Sequence, residues 1–145
     1  LVLFVGALAL SASSFPPHEI HLEPADAAGG LEVPVTYSLW LPSDDQPVRG
    51  IIIHQHGCGD PAATGGETAA FDLHWQALAK AHGCALLAPS YEQPQEADCQ
   101  MWCDPRNGSD ASFREALADL AAQSHHAELQ RIPWCLWGHS GGGRR

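Results

Sequence analysis

Trp137-Gly138-His139-Ser140-Gly141-Gly142-Gly143-Arg144, near the end of a 145-residue sequence, decides how the rest is read. Gly138-x-Ser140-x-Gly142 has the spacing of a nucleophile elbow, a strand that turns sharply into a helix so that one serine hydroxyl stands clear of the backbone. A residue at such a turn takes a strained conformation, and neighbours lacking a Cβ relieve the crowding between strand and helix. The apolar Ile132-Pro133-Trp134-Cys135-Leu136-Trp137 just upstream supplies the strand. Ser140 is therefore the first candidate functional residue, and Gly138 and Gly142 are the glycines that permit its turn.

Further upstream, residues 50–54 (Gly-Ile-Ile-Ile-His) form a β-branched run of the kind expected for a strand covered on both faces. Residues 84–88 (Cys-Ala-Leu-Leu-Ala) form another, ended by Pro89. Between them a Gly-rich loop precedes Phe71, Leu73, Trp75, Leu78, Ala79 and His82 at helical spacing, with Gly83 placed as a C-cap. Residues 18–23 and 33–41 alternate polar and apolar and read as half-buried strands, joined through residues 24–30 as a hairpin at a sheet edge. Residues 90–109 lack periodicity and read as a long loop. A helix then runs through Phe113, Leu117, Leu120 and Ala121, capped by Asp110 or Ser112, with Glu115 placed for a capping box with Ser112. Strands alternating with helices at these spacings imply crossover connections and a mainly parallel sheet, an α/β architecture.

Seven Lys and Arg against seventeen Asp and Glu give a net charge of −10, which leaves no basic stripe to neutralise phosphates and argues against a nucleic-acid partner. Residues 1–10 are apolar and pass into a small, polar stretch at 11–14, the pattern of a signal peptide. A membrane span would need about 20 apolar residues, so no span is expected. The expected organisation is a partial signal peptide over residues 1–14 and one domain over residues 15–145, in a secreted or periplasmic protein.

Export permits disulfides. The cysteines are Cys58, Cys84, Cys99, Cys103 and Cys135, an odd number, and Cys99 and Cys103 are near enough in sequence to be a bridge or a simple buried pair. No second close pair of Cys or His completes four ligands, so neither a metal nor a cofactor is expected. His54 and His56 alternate like two ligands on one strand face, but lack an acidic or cysteine partner nearby and are assigned to packing. Trp40, Trp75, Trp134 and Trp137 read as core or half-buried residues, and His125 and His126 as solvated residues at a helix end.

His56-Gly57-Cys58-Gly59 directly follows the strand over 50–54, and the serine elbow follows the next strand but one. That order resembles the N-terminal half of the α/β-hydrolase superfamily, in which the loop after strand three helps form an oxyanion hole and the serine follows strand five. Within it, His56-Gly57-Cys58, Met101-Trp102-Cys103-Asp104-Pro105 and the helix over residues 112–124 resemble secreted feruloyl esterases and polyhydroxybutyrate depolymerases. The similarity runs over residues 32–143, about half of the usual fold.

The resemblance implies a truncated α/β-hydrolase fold: an N-terminal hairpin, then a mainly parallel sheet with flanking helices, ending at the elbow. It implies Ser140 as nucleophile, the backbone N–H groups of Gly141 and Cys58 as oxyanion donors and Gly57 as a loop glycine; Trp102, in the long loop after strand four at the sheet's carboxyl edge, is a candidate for lining a substrate cleft. The expected substrate is a small-molecule or polymeric carboxylic ester. In this superfamily the acid and the histidine follow the serine, and five residues follow Ser140 here, so the sequence is expected to be a nearly inactive fragment. His139 is directed away from the nucleophile, and His54 and His56 precede it, so none is assigned as the base. Two other readings stay open at this point: a non-catalytic hydrolase-like binding domain, and amide or peptide hydrolysis on the same fold.

Overall fold

The computed structural model describes residues 18–59, 65–96, 98 and 100–144. The leader over residues 1–14 and Cys99 lie outside the described residues. Five strands, β1 (His18–Leu22), β2 (Val35–Trp40), β3 (Ile51–Gln55), β4 (Ala85–Tyr91) and β5 (Trp134–Gly138), make one sheet in the order β1-β2-β4-β3-β5. The expected hairpin is present, with β1 antiparallel to β2 at the edge and β2 antiparallel to β4. β3 pairs in parallel with both β4 and β5, so the sheet is mixed, with its parallel part built from β4, β3 and β5.

Helices α1 (Gly65–Ala70) and α2 (Leu73–Ala81) lie between β3 and β4 in the chain, and α3 (Gln100–Cys103) and α4 (Ser109–Gln123) lie between β4 and β5. The chain steps from β3 to β4 in one direction and returns past β3 to β5 in the other. Crossovers of one hand therefore put the two helical segments on opposite faces. Strand alternation supplies an apolar surface to each face. Val35, Tyr37, Leu39, Ile51, Ile53, Ala85 and Leu87 share one core with Phe113, Ala116, Leu117, Leu120 and Ala121 of α4. Trp40, Ile52 and Leu86 turn the other way, against Trp75 and Ala79 of α2. No helix among the described residues is long and apolar enough to cross a membrane.

Several local expectations are corrected. Pro89 lies inside β4 and does not end it. The β3 ladder stops at Leu87, so no β3 residue pairs with Pro89, which has no N–H to offer. The Gly-rich stretch after β3 includes α1. Residues 90–109 contain α3 and a 3-10 turn at Pro105–Asn107 capped by the Asp104 side chain.

The last helix begins at Ser109 behind Gly108, without a side-chain cap, so the capping box of Ser112 and Glu115 does not form. Ser112 is buried instead, donating to the Ser109 carbonyl at 3.2 Å and sharing a 3.0 Å hydrogen bond with the Tyr37 hydroxyl. His126 is buried rather than solvated, with Nδ1 2.7 Å from Glu128 Oε1, which also accepts from Val48 N at 3.0 Å. α2 forms at the expected place, with Gly83 at φ +59° just past its C-terminus as expected, and its N-terminus is capped by Asp72, which accepts from His74 N and Trp75 N.

Gly108 fixes where α4 docks. It has φ +87°, and a Cβ there would collide with the backbone of Gly30 and Leu31. Gly108→Ala is therefore expected to cost at least about 2 kcal/mol in urea unfolding, since both strain and collision oppose it. A loss below about 0.5 kcal/mol would show that the segment yields.

Candidate active site

Ser140 sits where β5 ends. It is exposed and has φ +53°, a left-handed conformation that side chains with a Cβ rarely adopt. The following residues, Ser140–Arg144, form a 3-10 turn. Two backbone bonds hold the bend: His139 N donates to Gln55 O at 3.4 Å, and Gly142 N donates to His139 O at 3.0 Å.

The glycines of the motif are required by contact. A Cβ on Gly138 would run into the backbone of Gly142, and one on Gly142 would lie 2.6 Å from Gln55 Cγ and 2.6 Å from His56 O. The elbow is thus pressed directly onto the end of β3.

The loop after β3 leans on the same turn. A Cβ on Gly57 would lie 3.3 Å from His139 O and 3.3 Å from Ser140 Cβ. Gly141 is buried against Cys58: a Cβ there would lie 3.3 Å from Cys58 N, 3.1 Å from Cys58 Cβ and 2.7 Å from Cys103 Sγ. The residue after the serine and the backbone nitrogen of Cys58 are therefore immediate neighbours. The sequence places Ser140, Gly57, Cys58, Gly138, Gly141 and Gly142 in one spot, and the structure brings all six together.

Trp102 is corrected. It is 0 % exposed, stacked on Tyr91 with ring centroids 4.6 Å apart, and its Nε1 donates to Gln93 Oε1 at 2.7 Å. It is a core residue and lines no open cleft. Gln93 in turn donates from Nε2 to Cys58 Sγ at 3.5 Å, so the indole braces the loop after β3 from behind. Nothing in the aperiodic sequence around Gln93 signals that role. The bridge considered for Cys99 and Cys103 is also overturned, because Cys103 carries a thiol while Cys58 is disulfide-bonded.

Beside the elbow lies an aromatic cluster. His54, 4 % exposed, stacks on Trp137 at 4.4 Å and 18° and meets Trp75 and His56 edge-on at 4.6 and 4.9 Å. Burial first, and then the neighbouring His56, pushes the His54 pKa down to about 4. His56 is also lowered, by burial and then by His139, and its Nε2 lies 3.2 Å from the Thr68 hydroxyl. Among the described residues no group of three His, Cys, Asp or Glu side chains gathers around a point. His54 and His56 are packed as ring against ring.

No protein-family model and no curated protein sequence matches the chain. In three dimensions it is similar to a cold-adapted esterase from an Arctic intertidal metagenomic library, with a TM-score of 0.50, 19% identity, and coverage of 87% of this chain and 51% of that one. It is also similar to a poly(3-hydroxybutyrate) depolymerase from Bordetella parapertussis, with a TM-score of 0.52, 20% identity, and coverage of 88% of this chain and 44% of that one. The chain spans about half the length of these solved structures. Its architecture is the N-terminal part of an α/β-hydrolase fold, with the strand order read above and the serine after the fifth strand.

His54 gives a pH signature. The unfolded chain takes up a proton there below about pH 6.5 and the folded chain only near pH 4, so stability is full above 6.5 and falls as the pH drops toward 4. Between pH 7 and 4.5 the protein should lose roughly 2 kcal/mol more unfolding free energy than His54→Gln. Equal pH slopes for the two proteins would remove His54 as the cause.

Proposed function

We propose that the protein is a serine hydrolase acting on carboxylic esters, with Ser140 as the nucleophile. The observation that carries this reading is the strained, exposed Ser140 with Gly141 lying against Cys58 N. Ser140 Oγ attacks the ester carbonyl carbon, and the carbonyl oxygen becomes an oxyanion. The N–H groups of Gly141 and Cys58 donate to it. Each such donor is worth about 3 kcal/mol in the transition state, so a displacement of either backbone is costly. The C–O bond to the alcohol then breaks, leaving an acyl group on Ser140 that water removes.

A base must take the serine proton, because an unassisted hydroxyl is a poor nucleophile at neutral pH. In this fold the histidine and its acid follow the serine, so on this reading they come after Ser140 in the complete protein and the 145 residues alone turn over esters barely. The leader over residues 1–14 would act as a signal peptide and place the enzyme outside the cytoplasm, facing a small-molecule or polymeric ester.

A fluorophosphonate should label Ser140 in the complete protein, and Ser140→Ala should lose the label and about 10⁴- to 10⁶-fold of p-nitrophenyl ester turnover. Hydrolysis of peptides with none of esters would replace the ester reading by an amidase. No labelling at all would leave a non-catalytic binding domain.

A further inference from the structure

Gln93 lies between a core ring and the loop after β3. It follows the carboxyl end of β4, where its N–H donates to Tyr91 O at 2.8 Å and Glu92 N donates to Pro34 O at 2.9 Å. Its side chain is buried, with Oε1 accepting from Trp102 Nε1 at 2.7 Å and Nε2 donating to Cys58 Sγ at 3.5 Å. An indole N–H can only donate and a disulfide sulfur can only accept, so these partners allow one orientation of the amide. Trp102 cannot shift to follow it, being fully buried and stacked on Tyr91 at 4.6 Å and 8°. The next residue, Cys103, sets its Sγ 2.7 Å from where a Cβ on Gly141 would lie. The end of α3 thus bears on Gly141 through Cys103, and on Cys58 through Trp102 and Gln93.

We propose that Gln93 is a positioning residue for ester hydrolysis, holding the Cys58 backbone against Gly141 so that both N–H groups meet the oxyanion. This role rests on the reading of Ser140 as the nucleophile given above. Gln93 touches no reacting atom and acts through Cys58. That residue stands between Gly57 and Gly59, the latter at φ +96°, so its chain neighbours offer no side chains to fix it. Its own side chain is the handle by which its N–H is aimed, and the Gln93 amide bears on that handle from the α3 side.

Without the bridge, Cys58 N drifts from the oxyanion while Ser140 stays in place. Losing an oxyanion donor outright costs about 10²- to 10³-fold in kcat, so loosening one should cost about 10-fold. The oxyanion exists only in the transition state, so the loss falls on kcat and leaves KM unchanged.

The test compares wild type, Gln93→Glu and Gln93→Met in the complete protein, by p-nitrophenyl ester kinetics and fluorophosphonate labelling. Gln93→Glu keeps the acceptor for Trp102 but has no N–H for the sulfur, and Gln93→Met keeps the length and neither bond. Both should lower kcat about 10-fold at unchanged KM, and slow labelling by the same factor while Ser140 is still labelled to completion. A purely structural role would spare Gln93→Glu, and a purely electrostatic one would spare Gln93→Met. Wild-type kcat in either variant, or a loss confined to KM, therefore overturns the proposal. Should Gln93→Met not fold, Gln93→Asn takes its place, an uncharged amide one methylene too short to reach both partners. Absence of label on wild-type Ser140 would instead sink the ester reading, and this role with it.

Discussion

The close approach of the carboxyl ends of β3 and β5 is the constraint on which the site depends. Their parallel register pairs Gln55 with Gly138, so the loops that follow the two strands leave the sheet at the same place. Ligands bind at this edge in open α/β sheets. With the Gly142 backbone set against Gln55 and His56, any side chain at Gly138 or Gly142 would push the loop carrying Cys58 away from the turn carrying Ser140. The same register puts Trp137 opposite His54 and Leu136 opposite Ile53. A slip of one residue would exchange the two faces and unmake both the aromatic stack and the α4 core.

The strain at Ser140 is affordable within that frame. A non-glycine residue in a left-handed conformation costs on the order of 1–3 kcal/mol. The bonds from His139 N and Gly142 N contribute about 1 kcal/mol each. Gly57 and Gly141 then let the loop close over the turn without adding contacts to overcome. The balance is near zero locally, so the bend is held by the sheet rather than by itself. β5 is an edge strand and faces solvent, with Trp134 52 % and Trp137 45 % exposed, while the inner strand β4 is buried along its whole length.

The sequence shows the strands and the elbow because their signals are local: β-branched runs, alternation, and glycines around one serine. What it hides depends on contacts between distant segments. α4 starts three residues before Ser112 because Gly108 fits against Leu31, a partner seventy-seven positions away that no capping pattern reports. Trp102 sits in an irregular stretch that invites a surface reading, yet Tyr91 and Gln93 enclose it. His126 is buried with its Nδ1 against Glu128, a carboxylate that the Val48 backbone N–H also holds in place. The nearness of Gly141 to Cys58 N was legible only through family resemblance, since nothing within 56–59 indicates that the two will meet. The pairing of five cysteines is open to several solutions, and proximity in sequence leaves a Cys99–Cys103 bridge and a simple buried pair equally open, whereas Cys103 carries a thiol.

His54 shows which of two opposed effects governs the space behind the elbow. A protonated imidazole stacked on Trp137 would gain a cation–π attraction, worth about 2 kcal/mol at most in a desolvated setting. A pKa near 4, against 6.5 for a free imidazole, corresponds to roughly 3 kcal/mol against the charged form, more than the ring face can return. Desolvation by Trp75, Trp137 and the sheet therefore outweighs the attraction of the ring face. The nearby charge of His56 acts in the same direction. The imidazole at position 54 is thus an uncharged aromatic plate at neutral pH. It fills the space beneath Trp137 and supports the strand that delivers Ser140, and a phenyl ring could serve the packing but would not reproduce its response to acid.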